Sequence, residues 1–387
     1  MSRDMLATTS KVNHTILSLL REEKAFALYR LPGKTEFHLM ASDKNFLEVE
    51  EMDFEELPSG FAFVPFDQSK LWFLPADYHF TSTNDSIDLS EFNISVCQKD
   101  NTGFQLIPSN EDSDQEIYMQ KVDQLVKSLQ NNVARKVVLS RRKKVGTLAG
   151  NDYFSAFQKL CKTHSDAMVS LVYFPEKQQI WLGATPEILV KQDKAQVFTT
   201  MSLAGTQSAF DVNGKEIRPI DALWTHKEIE EQALVGRYII NCLKKIRVRE
   251  FEEEGPKTVK AGKLLHLRTY YIIDNKEVNY PNLSSVMLNL LHPTPAICGM
   301  PKDAAEKLLA EVEGYDREFY SGYLGPINVD EESHLFVNLR TMKIENGEVY
   351  TYAGGGITAE SQPGKEWWET ELKMGTIKGA FDNIEKL

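Results

Sequence analysis

The chain has 387 residues, 42% hydrophobic, 26% charged and 10% aromatic, with 56 acidic side chains against 44 basic ones and a formal net charge of -12. This is the composition of a globular protein with a large core; the acidic balance argues against a nucleic-acid surface, though not against a small anion held by local charge in a cleft. No run approaches the roughly 18 consecutive apolar residues of a membrane span, and Cys97, Cys161, Cys242 and Cys298 lie far apart without metal-ligand spacing, which suits reduced thiols in a cytoplasmic protein.

Residues 1–33 lack the ordered basic, apolar and cleavable parts of a leader and read as a helix packed on the body. Up to residue 110, short apolar strands such as FAFVPF and KLWFLP alternate with polar turns. SNEDSD, at 109–114, is a polar break placed to cap the next segment. EIYMQKVDQLVKSLQNN is an amphipathic helix with Ile117, Val122, Leu125, Val126 and Leu129 on or near one stripe, and it stops at Asn131 and Asn132. KVVLSRRKKV is a β-branched strand, and MVSLVYF, QIWLGATP, EILVKQ and QVFTTMSLAG predict further strands. DALWTHKEIEEQALVGRYIINCLKKI predicts a long helix. HLRTYYII, HLFVNLRTMKIENGEVYTYAGGG and the stretch between them read as strand and turn. There is no βαβ alternation, internal repeat, low-complexity tract or evident linker, so the chain is predicted to form one large α+β unit.

Two pairs of carboxylates carry candidate chemistry. In a helical GKEWWETELKMG, Glu366, Glu369 and Lys373 share a face while Glu371 points elsewhere. Glu228 and Glu231 have the same spacing in HKEIEEQALV. Two such helices can surround a hard cation such as Mg²⁺, which prefers oxygen ligands; each pair alone suits a solvated ion-pair face as well. Lys136 opens the KVVLS strand on the same side as Val138 and Ser140. A lysine aimed into a cleft can serve as a base, and one at a strand edge simply meets water. Glu187 follows Gly and Pro in GATPE, at a strand end. MSLAGT, HLRTYY, LHPTPAICG, REFYSGYLGPI and NLRTM each set a polar residue among apolar or glycine neighbours, for which turn chemistry alone is a sufficient account.

Together and in this order, KVVLSR, GATPE, SLAGT, HPTPA, YSGYLG, NLRT, AGGGI and EWWETELK resemble the chorismate-utilising enzymes. That family includes isochorismate synthase, salicylate synthase, anthranilate synthase component I and aminodeoxychorismate synthase component I. The resemblance covers roughly residues 115–387, and residues 1–110 match only loosely. It implies a large α+β unit of two antiparallel sheets sandwiching a deep cleft with helices outside, in which residues 1–110 complete the sheet scaffold of a catalytic region spanning 111–387. It further implies that Mg²⁺ holds the ring carboxylate of chorismate on Glu231 and Glu369, with Glu228 and Glu366 in support. Arg340 and Tyr320 would grip the enolpyruvyl carboxylate, where a planar guanidinium suits a bidentate anion. Gly354, Gly355 and Gly356 would let the backbone approach that arm. Lys373 would reach the metal-bound carboxylate or its glutamates. Gly205 and Thr206 would line the ring pocket, with His266 near the ring.

Isochorismate formation adds water at one ring carbon and expels the hydroxyl two carbons away, which needs a base for the water and an acid for the leaving group. Lys136 resembles the family's water-activating lysine and Glu187 its general acid. Aminodeoxychorismate synthases typically carry a lysine where this chain has Ala204, and anthranilate synthases lack the lysine at the position of Lys136. The resemblance therefore implies an isochorismate synthase, monomeric and without a glutaminase subunit, supplying menaquinone or siderophore synthesis. Salicylate synthase, which eliminates pyruvate from isochorismate in the same pocket, and a silent chorismate-binding relative are the alternatives. Two positions depart from the family pattern beside the metal site: Gln232 stands where histidine is usual and Ile229 where arginine is common.

Overall fold

A computed structural model describes residues 3–82, 104–108 and 114–378. Cys97 and the polar break at 109–113 lie outside the described residues. Two antiparallel sheets dominate, with helices on their outer faces. The ten-stranded sheet places Lys136–Gly150 beside Glu348–Ile357, continues through Thr341–Glu345, Gln179–Thr185 and Met168–Phe174, and ends on Phe26–Arg30, His38–Ala41 and Tyr78–Thr81. Gly299–Met300 and Phe104–Pro108 also pair with Lys136–Gly150. The nine-stranded sheet runs from Glu252–Ala261 through Leu264–Asp274, Val197–Ser208, Ile188–Gln192, Ser333–Val337 and Tyr323–Ile327 to Gly60–Val64, Leu71–Pro75 and Leu47–Val49. The N-terminal strands thus extend both sheets rather than forming a sheet of their own.

The strand runs read in the sequence fold where the periodicity puts them. MVSLVYF is buried at every position, as a strand covered on both faces must be, and so shows no alternation. One half of the inter-sheet space is filled by aromatic packing: Phe61 and Phe63 of one sheet meet Tyr29, Phe174 and Trp181 of the other. Phe63 stacks on Phe319 with ring centroids 3.7 Å apart. Each such buried ring stabilises the fold by roughly 1.5–3 kcal/mol. This core joins the two sheets and reaches the cleft at Tyr320 and Tyr352.

Three local expectations change. Ile117 is 53% exposed, and the buried stripe of helix Gln115–Gln130 is Tyr118, Val122, Leu125 and Leu129. The long helix starts at His226, because Thr225 caps it, and not at Asp221. The stretch expected as strand and turn holds the helices Leu283–Leu291 and Lys302–Val312. The first of these buries two serines with its leucines and is apolar nearly all round, which hides the helical period. Among the described residues Cys161, Cys242 and Cys298 are free thiols, and no helix is long and apolar enough to cross a membrane.

Candidate active site

The chain crosses from one sheet to the other between Thr185 and Ile188, and back between Val337 and Thr341. Glu187 sits on the first crossing and Arg340 on the second. The crossings are tied together: Val337 N donates to Glu187 O and Ala184 N to Arg340 O, each at 3.0 Å. Arg340 turns the chain with φ of 47°, a left-handed conformation uncommon outside glycine. Both side chains face one cleft, together with Lys136, Glu231, Glu369 and Lys373. Glu187 is 4% exposed. Burial pushes its carboxyl up to about 7, although Lys136, Arg340 and Lys373 pull the other way.

His266, on Leu264–Asp274, donates from Nδ1 to Gly205 O at 2.8 Å, and Thr206 Oγ1 lies 3.3 Å from the same nitrogen. That leaves Nε2 as an acceptor, 3.4 Å from a terminal nitrogen of Arg340. Burial, then the Arg340 charge, lowers the imidazole to about 3 and keeps it neutral. His266 therefore orients the guanidinium instead of competing with it for anions. Tyr320 is buried beside them.

Lys136 enters the cleft from the opposite sheet. Its side chain is 3% exposed and Nζ lies 4.0 Å from Glu231 Oε2. The neighbouring strand is AGGGI, and the glycines are needed for space. A β-carbon on Gly356 would lie 2.7 Å from Lys136 Cε and 2.8 Å from Glu231 Oε1, and one on Gly354 would lie 3.4 Å from the Tyr320 hydroxyl oxygen. By strand alternation Gly355 faces the other way, toward Glu366 Oε2 and Tyr118, and does not line the cleft. Gly356→Ala is expected to keep the circular-dichroism spectrum and to cut turnover at least tenfold. Unchanged turnover would show that the close packing of Lys136 and Glu231 serves no chemistry.

Two helices supply the carboxylates. On Pro363–Lys378, Glu369 accepts from Lys373 Nζ at 2.6 Å, and the same ammonium donates to Gly354 O at 2.7 Å. Burial raises the Glu369 carboxyl, but Lys373, then Lys227 and Lys136, more than offset this and lower it overall. Glu366 is 2% exposed and paired with Lys227 at 2.5 Å, behind the glycine strand and not on the cleft surface. On His226–Lys245, Glu231 lines the cleft, whereas Glu228 does not. Glu228 Oε2 accepts from Thr225 N at 2.8 Å and from the Thr225 hydroxyl, the capping box of its own helix. In this arrangement the Glu228 carboxylate serves the N-terminus of its own helix.

A sequence model of the chorismate binding enzyme family matches residues 78–382, which include every residue lining the cleft. The chain belongs to the chorismate-binding enzyme family. The Escherichia coli K12 isochorismate synthase EntC is 30% identical over 206 residues, covering 52% of this chain and 51% of the relative. The vibriobactin-specific isochorismate synthase of Vibrio cholerae is 27% identical over 267 residues, 68% of this chain and 66% of that protein. The chain thus spans about half to two thirds of the length of these relatives. The solved structure of MenF, the menaquinone-specific isochorismate synthase of Escherichia coli, shares the fold, with a TM-score of 0.74 at 22% identity over 95% of this chain and 91% of that one.

In this chorismate-binding enzyme one of the two departures from the family pattern, Gln232, docks the helix. Gln232 is buried; its Nε2 donates to Ser202 Oγ at 2.7 Å and Thr269 Oγ1 at 3.0 Å, and its Oε1 accepts from Ala204 N at 3.1 Å. It fixes the Glu231 helix to the strands Val197–Ser208 and Leu264–Asp274. Ile229 is 51% exposed and turned away. Other supporting residues went unseen in the sequence. Arg141 donates to Thr370 and Glu371 and lies over Trp367, 3.7 Å from the ring centroid, which clamps the carboxylate helix to the strand that bears Lys136. Arg317 donates to Glu313 Oε2 at 2.8 Å, and to Ile297 O and Val138 O at 2.7 Å, joining the HPTPA loop to the same strand. Glu313 in turn accepts from Ser140 N at 2.8 Å. Glu313 and Arg317 are four apart but separated by Gly314 and a turn, so helical spacing gave no signal.

Arg317→Met, which strands a buried carboxylate, is expected to cost about 3–5 kcal/mol in denaturant unfolding. An apolar partner at Glu313 should recover part of that loss. A change below about 1 kcal/mol would remove the pair from the scaffold's support.

Proposed function

We propose that this enzyme is an isochorismate synthase, adding water at C2 of chorismate and releasing the C4 hydroxyl. One observation carries the reading: a buried lysine and a buried carboxyl, Lys136 and Glu187, line a single cleft in which position 204 is alanine. With Ala204 there, the SLAGT segment offers no amine to attack the ring, which supports water as the nucleophile. The Lys136 amine takes a proton from that water as its oxygen bonds to C2. Glu187, whose carboxyl titrates near 7, gives its proton to the departing hydroxyl, which leaves as water. The two groups return to their starting states by exchange with solvent. Arg340, oriented by His266, and Tyr320 hold the enolpyruvyl carboxylate, and the absent side chains of Gly354 and Gly356 leave it room.

The residues present fit Mg²⁺. The donors that line the cleft, on Glu231 and Glu369, are carboxylate oxygens, the ligand type Mg²⁺ prefers. Glu231 and Glu369 would hold the ion with Glu366 behind them, and the ion would polarise the ring carboxylate and offset charge developing in the ring. Incubation with chorismate tests the reading. Isochorismate is the expected product, and Glu231→Ala and Glu369→Ala should each raise the Mg²⁺ requirement at least tenfold. Normal metal dependence in both variants would remove the two-helix site, while salicylate and pyruvate would move the enzyme to the salicylate synthases.

A further inference from the structure

Lys227 takes no part in the chemistry above, yet it lies within the carboxylate cluster. Its ammonium is 2.5 Å from Glu366 Oε1 and 4.0 Å from Glu231 Oε1. Lys373 is 2.6 Å from Glu369, and Lys136 is 4.0 Å from Glu231. Three glutamates are therefore interleaved with three lysines, and with all six groups charged the cluster is neutral. Among the described residues, no three acidic, histidine or cysteine side chains are gathered closely enough to take a metal ion in their present positions.

This balance of charge restricts what can enter. A divalent cation added alone would leave two uncompensated positive charges among buried and half-buried groups, and such charge is costly where water is partly excluded. Chorismate brings two carboxylates, one to face the cation and one to face Arg340, and so offsets the added charge. Lys227, which already touches the carboxylates a cation would need, must give them up or be repelled. We propose that Lys227 is a built-in counter-ion, which keeps the Glu231–Glu366 cluster neutral so that a divalent cation binds strongly only together with the dianionic substrate. The proposal rests on the isochorismate synthase reading. Such coupling is reciprocal: the cation tightens the substrate by the same factor.

Isothermal titration with Mg²⁺, in the absence and presence of chorismate, tests it; isochorismate formed during the titration is also a dianion and counts as ligand. For the wild type, chorismate is expected to tighten Mg²⁺ at least tenfold, within the roughly 5–150-fold range of coupled sites. Lys227→Met should bind Mg²⁺ at least tenfold tighter than the wild type without substrate, and the chorismate effect should shrink. Lys227→Arg, which keeps the charge, should stay near the wild type. Lys143→Met, which removes a lysine paired instead with Glu371, should leave Mg²⁺ affinity unchanged.

If Lys227→Met and the wild type bind Mg²⁺ equally without substrate, the counter-ion role is overturned while the function stands. Should Lys227→Met fail to fold, equal wild-type affinities with and without chorismate overturn it instead. A wild type that makes no isochorismate with Mg²⁺ sinks the functional reading, and this inference with it.

Discussion

Lys136→Ala is expected to lose turnover by about 10²–10⁴-fold, the usual contribution of a positioned base, while chorismate still binds in the presence of Mg²⁺. The reason lies in where the side chain is held. It is almost fully buried, packed against the space left by Gly356, and its ammonium position faces Glu231 across 4.0 Å. No other lysine lies on the Lys136–Gly150 strand at the cleft, since the cleft lining from that strand is Lys136 and Val138. Steady-state kinetics paired with equilibrium binding separates the cases. Lost turnover with retained binding fits a base, and near-normal turnover takes Lys136 out of that role.

Glu187→Gln should be as inactive but folded, and it carries a second signature. Burial raises the carboxyl from its ordinary 4.5 to about 7 in the folded protein. A group raised in this way contributes stability that is fully present below its unfolded value and lost as pH rises through the folded value. Ionising Glu187 therefore costs the wild type up to about 3 kcal/mol above neutrality, a penalty glutamine escapes. The variant is expected to be the more stable protein at pH 8, with the difference vanishing near pH 4. The wild-type rate should fall as pH rises through about 7, since the acid must hold its proton to give it up. A rate that is flat from pH 6 to pH 9, or equal stabilities at pH 8, would deny Glu187 the acid role.

The fold was legible because its strands are long apolar runs with clear ends, and because the family motifs follow each other in order. Motif positions on strands and crossings, such as Lys136, Glu187, His266 and Arg340, came together in one cleft. What spacing left open has local causes. Glu228 shares a face with Glu231 by spacing, but a carboxylate three residues after a threonine cap is also placed to close a capping box, and the structure shows that contact. Leu283–Leu291 was missed because a helix buried nearly all round loses its period. Lys227 had a visible signal, four residues before Glu231; its pairing with Glu366, 139 residues away in sequence, had none. Arg141 and Arg317 act through backbone carbonyls and ring faces across long separations, contacts that spacing cannot reveal.

The most direct test of water addition is product analysis in ¹⁸O-water. Purified protein is incubated with chorismate and Mg²⁺, with and without chelator, and the products are separated and weighed by mass spectrometry. The account predicts isochorismate carrying one ¹⁸O in its new C2 hydroxyl, lost on chelation. Isochorismate without label would contradict it, because the hydroxyl would then have moved within the substrate and Lys136 would have no water to activate.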